Sequence, residues 1–292
     1  MKTNTLLVIT IFLITATNLA AQSTFYSDEF LTRNKQIEEF IDRFSYTDES
    51  KQRGYKLLSR RSNSQNQDIS DIYQLIYSRE NASRVSVLLS LFDYENINAI
   101  GKDKIKEFVK QVTDSATAQT LNFYDLDWYA VVEADFRFKN KTQNGILVIK
   151  NDIKPDVKGY PASFWGLVSA SANFLKPDFN ENQRQGVNAG AHGVNFVPLM
   201  SAFEDKQNIF NVVSNDFVSN DLSILLYATN NGDVSLEGIN SVSYHFMQID
   251  GWVFKVEYFN RSTSNSGWLI SDLFKASQED KKAYREQVLK IF

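Results

Sequence analysis

The sequence predicts an α+β protein in which helices pack on curved antiparallel sheets. In the N-terminal part, apolar residues recur at the spacing of helix turns. From Trp128 the pattern changes to strict alternation, which is typical of strands with one buried face. After residue 194 the order starts again, with one helical stripe followed by alternating segments. These three observations predict two helix-then-sheet units in one chain.

Composition and charge exclude several classes of protein. The 292 residues include 22 Phe, 13 Tyr and four Trp, which supply enough apolar surface for a folded core. The chain has no cysteine, so disulfides, thiolate metal sites and cysteine nucleophiles are excluded. Its 31 basic and 35 acidic residues give a charge of −4, which offers no general attraction to nucleic acid or anionic membrane.

Residues 1–21 have the layout of a secretory signal peptide. Lys2 is the charged start, an apolar run covers Leu6–Ile14, and Ala20 and Ala21 form a small-residue cleavage site. The alternative is a buried N-terminal helix of the mature fold. We expect an exported protein, periplasmic or extracellular, with no transmembrane segment in the mature chain. Removal of Lys2 leaves 30 basic against 35 acidic residues, a charge of −5.

The first part of the mature chain predicts helices and then a meander. Two apolar stripes at i, i+3, i+4 and i+7 predict helices at Ile37–Phe44 and Ile105–Val112. Weaker patterns predict helices at Ile69–Tyr77 and Ser83–Phe92. Three strands follow, at Trp128–Lys139, Ile146–Lys150 and Phe164–Phe174, with a turn at Lys141–Gly145.

The second part repeats this order with fewer helices. A stripe at Phe196–Phe203 predicts a helix, and Asp250-Gly251 predicts a hairpin turn. Ser277 and Asp280 are spaced as a capping box at the start of a terminal helix. The predicted elements here are strands Val242–Ile249, Trp252–Phe259 and Trp268–Phe274, and helix Gln278–Ile291.

The third strands of the two parts carry similar runs, Trp165–Ser169 and Trp268–Ser271, which favour a tandem repeat. The predicted organisation is a signal peptide at 1–21, a helix-rich first unit at 22–178, a linker at 179–193 and a second unit at 194–292.

A long amphipathic helix followed by helices and an antiparallel sheet resembles the NTF2-like (cystatin-like, SnoaL-like) fold. The residues that carry the resemblance are Gln36–Phe44 with Trp128–Phe174, and Asn195–Phe203 with Ser241–Phe274. Leu121–Ala130 and Ala191–Phe196 also resemble segments of secreted bacterial proteins of this kind. The resemblance implies two NTF2-like units in tandem. The extra helix in the first half leaves a helical domain before one β-rich domain as an alternative.

Candidate chemistry is limited to a few residues. The chain has only two histidines. His245 lies within a predicted strand, where it could act as a general base or bind a substrate, or be satisfied by neighbouring groups. His192 precedes the predicted helix at 195 and could contribute to an anion site with the helix amides, or belong to a structural turn.

Other motifs give weaker signals. Glu133 and Asp135 share one strand face, as paired acid/base work requires, but any solvated face produces this spacing. Lys255 and Glu257 share a face in the same way. No metal motif or cofactor motif appears, so neither group is predicted. Asp114-Ser115-Ala116 resembles an acceptor motif for O-linked glycans on exported proteins, with Ser115 as the acceptor.

The sequence therefore favours an exported binding or interaction protein of the bacterial cell envelope. Its partner would be a small molecule, a glycan or an envelope protein. NTF2-like proteins include isomerases, hydrolases, dehydratases and binding modules, so the fold alone does not name the chemistry. The alternative is a SnoaL-like enzyme of the isomerase or hydrolase type that uses His245 and a strand carboxylate such as Asp135. A third possibility is a structural role as a homodimer.

Overall fold

The structure is a computed structural model that describes residues 37–46, 67–76, 81–114, 116, 118–155, 161–175 and 220–291. The predicted linker at 179–193 and the predicted helix at Phe196–Phe203 lie outside these residues. Among the described residues, no helix has the length and apolar character that crossing a bilayer requires. The described helices are α1 (37–45), α2 (Gln67–Ile76), α3 (Ala82–Leu89), α4 (Ile97–Ile100), α5 (Lys102–Thr113), α6 (Asp221–Asn230) and α7 (Gln278–Gln287), with a 3-10 helix at Asn173–Leu175.

Six strands form one antiparallel sheet, which confirms the α+β class. Their order in the sheet is β3-β2-β1-β4-β5-β6, so each group of three consecutive strands is a meander. The strands are β1 (Trp128–Phe138), β2 (Lys141–Pro155), β3 (Pro161–Ser171), β4 (Val234–Phe246), β5 (Trp252–Phe259) and β6 (Gly267–Lys275).

The chain divides into two compact units, each assembled from separate stretches of sequence. One comprises 1–129, 151–163 and 243–282, and the other comprises 130–150, 164–242 and 283–292. The first unit thus joins the N-terminal helices to the C-terminal strands. The predicted division into units at 22–178 and 194–292 stays a prediction.

Aromatic rings form the core of the first unit. The apolar stripes of α1 and α5 are buried, as their spacing predicts. Phe246 of β4 stacks on Phe254 of β5 and on Trp128 of β1, with ring centroids 5.2 Å apart in both pairs. Phe44 of α1 stacks on Phe254 at 5.6 Å, and Phe108 of α5 meets the same ring edge-on at 5.6 Å. This face of the sheet is therefore covered by helices.

The core of the second unit is built from smaller side chains. Val132, Ala134 and Phe136 of β1 pack with Leu225 and Ala228 of α6. The alternation predicted from Trp128 onwards is confirmed from Ala130, since the residues between these three are more exposed, whereas Tyr129 is buried.

The first turn of the sheet differs from the prediction. Lys141–Gly145, predicted as a turn, begins β2, and the chain reverses at Lys139 and Asn140, whose φ angles are 50° and 59°. Left-handed angles at both residues match the twist of a two-residue hairpin, and Asn tolerates them well. Gly145 has a packing role instead, because a Cβ there would lie 2.8 Å from the ring of Phe136.

The capping box at the start of α7 is confirmed. The amide of Ser277 donates to Asp280 Oδ2 at 2.9 Å, and the amide of Asp280 donates to Ser277 Oγ at 3.2 Å. One turn later, the buried Lys281 donates from Nζ to the carbonyls of Met247 and Ile249, at 2.7 and 2.8 Å. These bonds join α7 to the segment between β4 and β5.

Candidate functional site

The candidate site is centred on His245, near the end of β4. Alternation along the strand directs Tyr244 and Phe246 into the aromatic core, so His245 belongs to the opposite face of the sheet. His245 pairs with Lys255 of β5, and Ser243 pairs with Glu257. Directly paired residues of antiparallel strands share a face, so these four polar side chains are neighbours. We call them, together with Ser271 of β6, the His245 group.

Short polar contacts connect the members of the His245 group. Ser243 Oγ lies 3.2 Å from His245 Nε2, and Lys255 Nζ lies 2.8 Å from Glu257 Oε1. His245 is only 5% exposed, whereas the side chains of Lys255 and Glu257 are 32% and 37% exposed. The group therefore has a buried imidazole and a charged pair that solvent reaches. Lys255 and Glu257, whose spacing any solvated strand face would produce, are thus partly exposed.

Burial controls the protonation of His245. The pKa of His245 is lowered to about 4, mainly because burial removes the hydration of the charged form. The positive charge of Lys255 also lowers this pKa, and its effect is larger than the opposite effect of Glu257. The imidazole is therefore neutral at neutral pH. Burial alone would raise the pKa of Glu257, but hydrogen bonds from Lys255 and Ser271 outweigh it and lower the pKa of this carboxyl.

These protonation states decide which chemistry suits the group. A general base works best when its pKa lies near the working pH, and a histidine with a pKa of about 4 is a weak base at pH 7. The contact between Ser243 and His245 has the distance of a nucleophile–base pair, yet the imidazole is too weakly basic to activate the hydroxyl well. The arrangement is better suited to hydrogen bonding a bound group.

A β-bulge places the third strand beside the group. Lys255 pairs with Asp272 of β6, whereas the next residue, Val256, pairs with Ile270, so Ser271 is the additional residue on β6. Ser271 is buried and hydrogen bonds to Glu257, and its Oγ lies 3.5 Å from the carbonyl oxygen of Lys255. The bulge thus adds Ser271 to the group as a second buried polar side chain beside His245.

Asp135, the other predicted catalytic candidate, has its own set of partners in the second unit. The side-chain amides of Asn144 and Asn240 donate to Asp135 Oδ1 at 2.7 and 2.9 Å. Nearby on the same strand, Arg137 forms an ion pair with Glu237. Hydrogen bonds from Thr142 and Arg137 lower the pKa of Glu237, and the bond from Thr142 has the larger effect. We call these six residues the Asp135 group.

The predicted site residues are thus described unevenly. His245 and Asp135 each have defined partners, and their joint use in catalysis stays a prediction. His192 and Ser115 lie outside the described residues. Within the described ranges, no three or more Asp, Glu or His side chains are grouped so that they could hold a metal ion.

Sequence reasoning missed the contributions of Ser243 and Ser271. Ser243 lies two residues before His245, the spacing that puts both on one strand face, so this signal was present. Ser271 depends on the bulge in β6, for which the sequence gives no clear signal.

Comparison with known proteins finds no matching family model, no matching curated protein and no matching solved structure. The function is therefore inferred from the side chains of the chain itself. The His245 group combines buried polar atoms, a charged pair and a strongly lowered pKa of His245. Such combinations are common at functional sites.

Proposed function

We propose that this chain is an exported protein of the bacterial cell envelope that binds a ligand through the His245 group without transforming it. At the solvent-exposed part of the site, Lys255 supplies a hydrogen-bond donor and Glu257 supplies an acceptor. The neutral imidazole of His245 and the hydroxyl of Ser243 supply hydrogen bonds behind them.

The observation that carries this proposal is the burial of His245, which is 5% exposed and has its Nε2 3.2 Å from Ser243 Oγ. A buried imidazole with a pKa of about 4 stays neutral through the ordinary pH range, so it offers one donor and one acceptor, and the tautomer decides which nitrogen has which role. Such a group supports recognition, because its hydrogen-bonding pattern does not change with pH. It supports proton transfer poorly, because it is a weak base.

Histidine NMR tests the binding proposal. The probe is the low-molecular-weight fraction of a periplasmic extract, added to protein with isotope-labelled histidine. We expect saturable shifts of the His245 ring signals, and their loss in the variant Lys255→Met. Asp135→Asn is the matched control, and it should bind as the parent does. If no fraction moves the His245 signals, the site does not bind a small envelope ligand.

Export is tested separately by fractionation and mass measurement. We expect the protein in the periplasm or the medium, beginning at Gln22 after cleavage behind Ala21. The same intact mass reports on Ser115, since a glycan there would add to the mass of the mature chain. An uncleaved chain in the cytoplasmic fraction would contradict the export proposal.

The contact between Ser243 and His245 supports one second candidate, a SnoaL-like enzyme. Its assay is the chemical conversion of compounds in the same extract, followed by mass spectrometry. Conversion by the parent protein and not by His245→Gln or Asp135→Asn would favour this enzyme over the binding protein.

We also propose that the sheet arose from two NTF2-like units in tandem. Support comes from the two meanders and from the buried serines Ser169 and Ser271, which end the similar runs in β3 and β6. Limited proteolysis within 179–193 tests the arrangement. Two fragments that separate and stay folded would support independent units, whereas fragments that unfold on separation would contradict them.

A further inference from the structure

A second candidate site is indicated by the indole group of Trp268. The indole N–H of Trp128 donates to the carbonyl of Phe123 at 3.1 Å, and that of Trp252 donates to Gln111 Oε1 at 2.9 Å. Trp268 is 6% exposed, and its buried Nε1 has no hydrogen-bond partner among the residues that the structure describes. Buried indole N–H groups usually have an acceptor, so the contrast within one chain requires an explanation.

Two tyrosine rings pack against the Trp268 ring. Tyr244 of β4 meets the Trp268 ring at a centroid distance of 5.0 Å, and Trp128 lies 5.7 Å from Tyr244. Tyr258 is the direct cross-strand partner of Trp268; their ring centroids are 5.5 Å apart and their ring planes are inclined by 62°. Apolar ring surfaces beside a single hydrogen-bond donor are typical of binding sites for small uncharged molecules.

Tyr258 is the part of this cluster that solvent reaches. Its side chain is 49% exposed, although the neighbouring Trp268 is buried. The Tyr258 ring is therefore the more exposed neighbour of the Trp268 ring, and access to Nε1 from this side would require movement of the Tyr258 side chain. Rotamer changes of exposed side chains are fast, so this access requires no change of fold.

We infer that Tyr258 covers a binding site for an uncharged ring compound that carries a hydrogen-bond acceptor, with Trp268 Nε1 as the donor. The ring of the ligand would pack among Tyr244, Tyr258 and Trp268, and its carbonyl or hydroxyl oxygen would accept from the indole. The site lies on the helix-covered face of the sheet, as Tyr244 does, whereas His245 lies on the other face. Its test is therefore independent of the proposed role of the His245 group.

The experiment follows the indole N–H signals of the purified protein by NMR. The probes are acetophenone, which has a ring and a carbonyl, and ethylbenzene, which has nearly the same shape without an acceptor. The signal of Trp268 is assigned by its loss in Trp268→Phe, which keeps an aromatic ring and removes the donor. The titrations themselves use the parent chain, so they do not depend on the folding of any variant.

We expect acetophenone to move the Trp268 signal downfield in a saturable way and to bind about tenfold more tightly than ethylbenzene, the ratio that one hydrogen bond supplies. In Trp268→Phe this preference should disappear. A Trp268 signal that stays fixed up to the solubility limit of acetophenone would overturn the inference. Equal affinity for the two probes would also overturn it, because the indole N–H would then have no role.

Discussion

The His245 group and the Asp135 group are both built from polar side chains on neighbouring antiparallel strands, but they differ in burial. In the first, His245 is 5% exposed and lies beside the more exposed pair formed by Lys255 and Glu257. In the second, Asp135 accepts hydrogen bonds from two asparagines in an exposed setting. Both contain a cation–carboxylate pair, so the types of residue do not distinguish them.

This difference shows that burial can change the pKa of a polar residue on a strand, and with it the protonation state of that residue. Desolvation is the largest cause of the lowered pKa of His245, ahead of the nearby charges. Asp135 satisfies its carboxylate with neutral amide donors near solvent, where hydrogen bonds contribute little net stability. Function is therefore expected at the buried group, and the following predictions test that contrast.

The largest expected effect is a loss of stability in mild acid caused by His245. The folded pKa of about 4 lies below the ordinary value of 6.5, so the unfolded chain takes up the proton first as pH falls. Stability should decline between pH 6.5 and pH 4 by about 3 kcal/mol from this residue. Urea unfolding at a series of pH values measures it.

The variant His245→Gln is the control for this effect, because its amide stays uncharged. Its decline over the same pH range should be smaller by the His245 contribution. The lowered pKa of Glu257 acts at lower pH, below its ordinary value of 4.5, so the two contributions separate. Parallel pH profiles for the parent and His245→Gln would show that the imidazole is not buried in its neutral form.

A smaller effect is expected from Lys255→Met. Loss of this positive charge should raise the pKa of His245, because Lys255 helps to hold the pKa down. The cost in stability should be about 1 kcal/mol or less, since both members of the pair are partly exposed. NMR titration of the histidine signals and urea unfolding measure the two quantities. Arg137→Met, in the Asp135 group, is the matched control and should leave the pKa of His245 unchanged.

The smallest effect is expected from Asp135→Asn. The substitution keeps the size of the side chain and an acceptor oxygen for Asn144 and Asn240, so unfolding free energy should change by less than about 1 kcal/mol. Urea unfolding at pH 7 checks this value. If the free energy of unfolding fell by several kcal/mol, Asp135 would behave as a buried charge does. That result would contradict the proposed difference in burial between the two groups.

Helices and strands with strong periodicity were predicted well from the sequence. The stripes in α1 and α5, the bounds of β5 and the capping box at Ser277 are confirmed, because each depends on local spacing alone. The prediction of a turn at Lys141–Gly145 was wrong, because β2 begins at Lys141. Asn144-Gly145 has the composition of a turn, but Gly145 is there because it packs closely on the ring of Phe136.

The His245 group could be predicted only in part, because it depends on strand register. The bond from the Trp252 amide to the carbonyl of Ile249 confirms the turn at Asp250-Gly251. A regular two-residue hairpin at that turn would pair His245 with Val256, whereas the observed partner is Lys255. One additional residue on the β4 side, between Phe246 and Ile249, causes the shift, and a shift of one residue exchanges the two faces of a strand.

The most direct test of the central claim is the NMR titration of His245 in the parent protein. The chain has two histidines, so His245→Gln assigns the signals by the loss of one of them. A pKa of about 4 is expected, as for a buried and neutral imidazole. A pKa near the ordinary value of 6.5 would contradict the account, since it would show that the ring is hydrated and available as a base at neutral pH.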